Sequence, residues 1–358
     1  MVKGMKQTEI GMIPEDWQVL DVSQIAQIRT GNKNTQDKIE NGKFPFFVRS
    51  QIIERIDSYS FDGEAVLTAG DGVGVGKVFH YIDGKFDYHQ RVYSISNFDQ
   101  KVSGYYFFKY FQNNFYNRIM QMTAKSSVDS VRMETISQMQ IPLPPLPEQE
   151  AIAGALSDAD AWIESLEQLI AKKRLIKQGA MQELLTPKEG WEVKKLGDLL
   201  QFGSGKDYKH LQSGEIPVYG TGGIMTYVNH HLYEGESVGI GRKGTIDKPV
   251  FLSGKFWTVD TLFFTHSFYN SHPKYIYYQF QLIQWKEYNE ASGVPSLNKN
   301  TLEQIEITIP SLSEQTRIAT ILSDIDAELE ALEQQLHKAR QIKQGMMQEL
   351  LTGRVRLV

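Results

Sequence analysis

The chain has no cysteine among its 358 residues. That excludes disulfides, a thiol nucleophile and the cysteine-based zinc sites of fingers and ribbons. It also lacks any apolar run near the roughly 20 residues that a bilayer-spanning helix needs. The opening segment, MVKGMKQTEIGMIPEDW, has neither the apolar core nor the small-residue cleavage site of a secretory signal. The expected location is the cytoplasm, with no membrane partner. A third shortage is basic charge: the formal net charge is −5, and residues 1–145 carry 16 cationic and 16 anionic side chains. Proteins that hold nucleic acid through bulk phosphate neutralisation are normally basic. Any DNA partner must therefore be held by specific base-edge contacts or with the help of an accompanying protein.

Catalytic motifs are missing as well. There is no HExxH, no GxSxG and no Asn/Asp-Pro-Pro-aromatic tetrapeptide of the kind amino-methylating enzymes use to hold a flipped base. GIGRKG at 239–244 matches GxGxxG literally, but TIDKPVFLSG follows it, which reads as turn and strand. A dinucleotide site needs a helix there. GDGVGVGK at 70–77 lacks the first P-loop glycine at its spacing and has Val78 where Ser or Thr should hold magnesium. His230 and His231 are adjacent and do not share a face in either regular structure. No cofactor and no metal are expected on this chain, and catalysis by the chain alone is not expected.

What the chain does have is a repeat. Residues 148–186, EQEAIAGALSDADAWIESLEQLIAKKRLIKQGAMQELLT, return at 314–352 as EQTRIATILSDIDAELEALEQQLHKARQIKQGMMQELLT, with 25 identities in 39 and no gap. Upstream of each copy lies a second matched block that opens with a tryptophan, WQVLDVSQIAQIRTGN from Trp17 and WEVKKLGDLLQFGSGK from Trp191. FPFFVRS is matched by IPVYGTG, GEAVLTAGDG by GESVGIGRKG, and GKF at 84–86 by GKF at 254–256. The offset drifts from 174 through 172 and 170 to 166, as expected when loops differ in length on a shared framework.

Within the blocks, short runs rich in Val, Ile, Tyr and Phe read as strands, as at 65–69, 77–82 and 249–253. Aromatic-rich stretches at 103–122 and 273–291 read as helices whose rings form core in preference to a base-stacking platform. The repeated segment has apolar residues at alternating steps of four and three, Ile152, Leu156, Ala159, Ile163, Leu166 and Ile170, then Ile318, Leu322, Ile325, Leu329, Leu332 and Leu336. That is a coiled-coil seam. Strict spacing next reaches Lys173 and Lys177, so the seam is expected to shift phase to Ile176, Ala180 and Leu184, and in the second copy to Ile342, Met346 and Leu350. Pro147 and an N-capping Ser313 mark the helix starts, and Thr186-Pro187 and Thr352-Gly353 the stops. Two such seams in one chain satisfy each other best when packed antiparallel about a pseudo-two-fold axis. At about 1.5 Å per residue the repeat makes a rod of about 58 Å, on the order of 17 base steps of B-DNA.

The expected fold is α+β, with two mixed sheet-and-helix domains at 1–146 and 188–312 and two long helices at 147–187 and 313–358. PLPPLPEQEAIAGALSDADAWI, its partner IPSLSEQTRIATILSDIDAEL and the two KQGxMQELLT endings resemble the conserved regions of the specificity (S) subunits of type I restriction-modification systems. The resemblance spans essentially the whole chain. It implies two target-recognition domains, each reading one half of a bipartite double-stranded DNA site, with the helices holding the halves apart. It implies binding to two methyltransferase (M) subunits, joined by nuclease/translocase (R) subunits. S-adenosylmethionine would then belong to the M subunits, and ATP with magnesium to the R subunits. Against it stand a self-contained DNA methyltransferase or nuclease, which needs motifs that are missing, and a structural coiled-coil dimer.

Candidate DNA contacts are polar and cationic side chains beside glycine, where loops can enter a groove. In the first domain they are Arg29, Asn32, Lys33, Asn34, Arg49, Lys77, Gln90, Arg91, Lys125 and Ser127. In the second they are Lys206, Tyr208, Lys209, His210, Thr221, Arg242, Lys243, Ser292 and Ser296. Helix residues off the seam, Glu148, Gln149, Arg174, Lys177, Gln178, Arg340, Lys343 and Gln344, are candidates for contact with the M subunits.

Overall fold

The computed structural model describes residues 4–122 and 130–357. Its compact units do not follow chain order: one comprises residues 1–167 and 335–358, the other residues 168–334. Each unit thus joins one block to half of each long helix.

In the first unit a six-stranded sheet is built from β1 (Gln27–Thr30), β2 (Phe44–Phe47), β3 (Glu54–Ile56), β4 (Phe61–Ala69), β5 (Phe79–Tyr88) and β6 (Val92–Ser96), in the order β1-β6-β4-β5-β2-β3. All neighbours are antiparallel except β2 and β5. Residues 65–69 of β4 are buried on both faces, which is why AVLTA reads as a continuous small and apolar run. Helix α1 (Gly104–Met122) covers the sheet, and its Phe107, Phe111 and Phe115 stack on one another, with ring centroids 5.4 and 4.3 Å apart. All three are fully buried. These rings are core.

The second unit repeats the plan with one break. β7 (Gln201–Ser204), β8 (Ser213–Gly220), β9 (Gly223–Val228), β10 (Tyr233–Glu234), β11 (Ser237–Gly241), β12 (Val250–Leu252), β13 (Lys255–Thr258) and β14 (Leu262–His266) form two four-stranded sheets, β7-β14-β11-β12 and β9-β8-β13-β10. The single long β5 of the first unit corresponds to β12 plus β13, interrupted at Gly254, whose φ of +73° only glycine adopts without strain. The aromatic helix is shorter than its composition suggests, Pro273–Phe280 followed by a separate 3-10 turn at Trp285–Tyr288. Trp285 folds back into the core and its indole N–H donates to the Phe280 carbonyl at 2.8 Å, tying off the helix end.

The long helices are α2 (Leu146–Leu185) and α4 (Leu312–Leu350), with α3 the Pro273–Phe280 helix between them. Ile152, Leu156, Leu166, Ile170, Ile318, Leu322 and Leu329 are buried, and Ile163, Ile325, Leu332 and Leu336 are half-buried. Within the first unit, Ile152 and Leu156 share a core with Leu350 and Leu351. Within the second, Leu185 shares one with Ile318 and Leu322. The start of one helix therefore packs on the end of the other, the antiparallel arrangement.

Ion pairs follow the same symmetry. Asp160 with Lys343 mirrors Asp326 with Lys177, and Glu167 with Arg340 mirrors Glu333 with Arg174, each residue displaced by 166. Burial raises the Asp160 carboxyl, but Lys109 and Lys343 together outweigh it and hold the group below its ordinary value.

Three expectations are corrected. The phase shift holds in part: Ala180 and Leu184 pack on the core of the second unit and Met346 and Leu350 on that of the first, but Ile176 and Ile342 are 45% and 43% exposed. Lys173 and Lys177 are half-buried, and Glu328 and Asp326 meet their ammonium groups at 2.6 Å. Ser313 does not cap the second helix: Ser311 does, accepting from the Glu314 N–H at 3.4 Å on its hydroxyl and from the Gln315 N–H at 2.9 Å on its carbonyl. Glu148 and Gln149, expected as off-seam contacts for the M subunits, are fully buried and so not available to a partner. Glu148 accepts from the Trp17 indole at 3.1 Å and from Arg356 at 2.5 and 2.7 Å.

Gln149 serves three backbone groups. Its oxygen accepts from the Ser103 N–H at 2.9 Å, and its amide donates to the Lys101 and Pro144 carbonyls at 2.9 and 2.8 Å. Gln315 repeats this with His272, Asn270 and Pro310. Replacing either glutamine leaves three backbone groups of its unit without that partner. We expect Gln149→Ala and Gln315→Ala each to cost about 3 kcal/mol of stability, read as a lower denaturation midpoint. An unchanged midpoint would show that water takes over the role.

Candidate nucleic-acid interface

The first unit brings four loops together at one edge of its sheet. The turn after β5 returns beside the end of β4, where the Gly70 N–H donates to the Arg91 carbonyl at 2.8 Å. It also meets the end of β2, where the His89 N–H donates to the Phe47 carbonyl at 2.9 Å, and the 31–34 loop, where the Gln90 N–H donates to the Lys33 carbonyl at 2.9 Å. Arg49, Asn34, Gln90 and Arg91 are gathered here. Gln90 donates to Asn34 at 2.6 Å, and Arg49 and Arg91 both reach Asp71. Lys33 forms a bridge with His89. Burial, reinforced by the Arg49 and Arg91 charges, keeps the His89 ring below its usual value. Its Nδ1 accepts from the Arg91 backbone N–H at 3.0 Å.

Arg29 lies on the edge strand β1 and donates to Gln27 at 3.1 Å. Asn32 and Lys77 are exposed. Lys125 and Ser127 lie outside the described residues.

In the second unit a cleft of about 540 Å³ is lined by Tyr208, Lys209, Thr221, Met225, Asp260 and Thr261. Another of about 330 Å³ gathers Arg242, Lys243 and Ser296 with Ser204, Glu290 and Lys299. Arg242 lies across the Phe263 ring at 5.9 Å and donates to the Asp260 carbonyl at 3.4 Å. His210 stands edge-on to Trp257 at 5.9 Å. Lys206 uses its backbone, accepting from the Trp257 indole at 2.8 Å and donating to Thr258. Ser292 is exposed, and neither cleft includes it.

Sequence reasoning passes over Asp71, Asp260 and Thr261. An acid is not what one seeks on a DNA-facing surface, and Thr261 has no local signal. Ile224 and Met225, 50% and 57% exposed beside Thr221, could have been found as large apolar residues in a Gly-Gly turn.

The family described as the type I restriction modification DNA specificity domain matches residues 14–173 and again 188–341. The chain belongs to that family. A Methanocaldococcus jannaschii protein named MjaX specificity subunit is 26% identical over 99% of this chain and 97% of its own length. The type I restriction enzyme MjaVIII specificity subunit of the same organism is 23% identical over 96% of this chain and 94% of its own. Among solved structures, the S subunit of a type I restriction-modification system from M. genitalium superposes with a TM-score of 0.73 at 18% identity, covering 98% of this chain and 99% of that one. At that identity it is the fold that is shared. No helix among the described residues is long and apolar enough to cross a membrane.

Removing the Arg242 guanidinium, which closes one cleft without entering the core, should weaken binding of the assembled complex to its DNA target roughly tenfold. Assembly should be intact by size-exclusion chromatography. Unchanged binding by Arg242→Ala would take this residue out of the interface.

Proposed function

We propose that the chain is the sequence-reading, non-catalytic subunit of a type I restriction-modification enzyme. Each domain reads one half of a bipartite DNA site, and the helices set the distance between the halves. The observation that carries this reading is the pair of equivalent frameworks, each fixed to the helices by the same buried glutamine while its loops differ. Two readers on one scaffold need a shared framework and unlike loops.

The reading includes two M subunits docked on the helices. In its favour, each unit carries a groove of the same make. Asp160, Ile163, Lys343 and Met347 line one of about 590 Å³, and Asp326, Leu329, Lys177 and Met181 line one of about 860 Å³. Of the off-seam candidates, Arg340 and Gln344 line the first groove, and Arg174 and Gln178 the second. R subunits join this core in the cytoplasm. S-adenosylmethionine is held by the M subunits, and ATP with magnesium by the R subunits.

Two experiments test it. Purified chain incubated alone with S-adenosylmethionine and DNA should transfer no methyl group, while the complex with its M subunits should; transfer by the chain alone overturns the assignment. Because both ends of each helix are locked to a domain, spacer length should respond to paired insertions. Four residues added after Glu167 and four after Gln334 lengthen each helix by about 6 Å. We expect a longer preferred spacer in selected DNA targets, and an unchanged one would show that the helices do not set it.

A further inference from the structure

Backbone hydrogen bonds fix which loop positions of the two domains correspond. Gly70 N–H to Arg91 O and Val131 N–H to Gly70 O, both 2.8 Å, are matched by Arg242 N–H to Thr261 O at 2.8 Å and Leu297 N–H to Arg242 O at 2.9 Å. His89 N–H to Phe47 O is matched by Val259 N–H to Tyr219 O, and the bridge between Asp71 and Ser130 by that between Lys243 and Ser296. Arg49 therefore stands where Thr221 stands, Asp71 where Lys243 stands, and Arg91 where Thr261 stands. The backbone pairing around these three positions is shared and the chemistry is replaced outright, Arg/Asp/Arg against Thr/Lys/Thr.

In the first domain the three side chains form one unit. Asp71, 22% exposed, accepts from Arg49 Nη1 at 2.8 Å on one oxygen and from Arg91 Nη1 at 2.5 Å on the other. Burial works to raise its carboxyl, and the two arginines prevail and hold it below its ordinary value. Gly70 and Gly72 bracket the acid. A Cβ at Gly70 would stand 2.9 Å from the Tyr93 ring, and Gly72 has φ +75°. The arginines are 41% and 58% exposed, and among the described residues no partner takes the Nε or Nη2 of either. As a staple, such an exposed cluster contributes little. As an orienting device it leaves two planar donor edges free and removes much of their rotational freedom before any ligand arrives.

We propose that Asp71 is a positioning residue for base recognition, holding Arg49 and Arg91 so that the free donor edge of each is aimed at a guanine, one apiece, in the half-site read by the first domain. Thr221, Lys243 and Thr261 are the corresponding locus of the second. Guanine offers O6 and N7 as adjacent major-groove acceptors, which fits a guanidinium edge. A phosphate is the poorer target, because the Asp71 carboxylate would lie beside it and repel it.

The proposal rests on the first domain reading DNA, and the test keeps the two apart. The chain in complex with its methyltransferase partner is used to select targets from randomised duplexes. If the wild-type complex selects no bipartite motif, DNA reading itself fails and the proposal falls with it. Given a motif, Asp71→Asn should reduce preference at two G·C pairs of one half-site by on the order of tenfold each, leaving the other half-site's preferences as in wild type. Arg49→Lys and Arg91→Lys, at exposed positions that keep their charge, should each relax one of those base pairs. These two variants carry the test if Asp71→Asn does not fold. An unchanged profile in the variants, or loss of affinity spread evenly over both half-sites, overturns the proposal.

Discussion

The buried glutamine at the start of each long helix is the constraint on which the rest depends. A helix N-terminus carries unpaired N–H groups, and the chain entering it here is a proline-containing turn whose carbonyls also need donors. Gln149 and Gln315 take up the carbonyl before the helix together with a carbonyl and an N–H from the loop that leads into the aromatic helix. A short amide side chain can do this in one geometry only, so the domain is held at a fixed angle on its helix. The glutamic acid before it has no such fixed role. Glu148 is buried under Trp17 and Arg356, whereas Glu314 pairs with Arg317 in its own turn.

Much of this is legible in the sequence, for a physical reason. The seam is periodic, and burial of apolar residues at steps of four and three holds whatever else the chain does. The pairing of Lys173 and Lys177 is not legible, because a lysine on a seam reads as a break unless its acid is known, and Glu328 and Asp326 lie far away along the chain. Glu148 escapes sequence reading for the same reason, its partner being Arg356. Ser311 rather than Ser313 caps its helix because its hydroxyl and carbonyl are the ones that reach the first helical N–H groups, a boundary that local preference places only to within a residue or two.

The reading loops are the least legible part. Arg49, Asp71 and Arg91 come from three separate connections, and only closure of the sheet places them together. Glycine marks where such loops are, in GDGVGVG and in GTGG, but does not say which loops meet. The family match supplies the framework and, by its nature, is silent on the positions at which the two domains differ.

The division of the chain has a consequence for the order in which it is made. The second unit is one continuous segment, residues 168–334, and the partners of its buried Gln315 and of Lys177 and Arg174 all lie within that segment. The first unit is split, and the buried Glu148 charge waits for Arg356. The domain synthesised first is therefore the one completed last, and until then the Glu148 carboxylate has the Trp17 indole but not Arg356, and the start of its helix lacks Leu350 and Leu351. Such a chain reaches its described packing in the first unit only when translation has run through residue 356, so a prematurely stopped product retains a finished second reader and an unfinished first one.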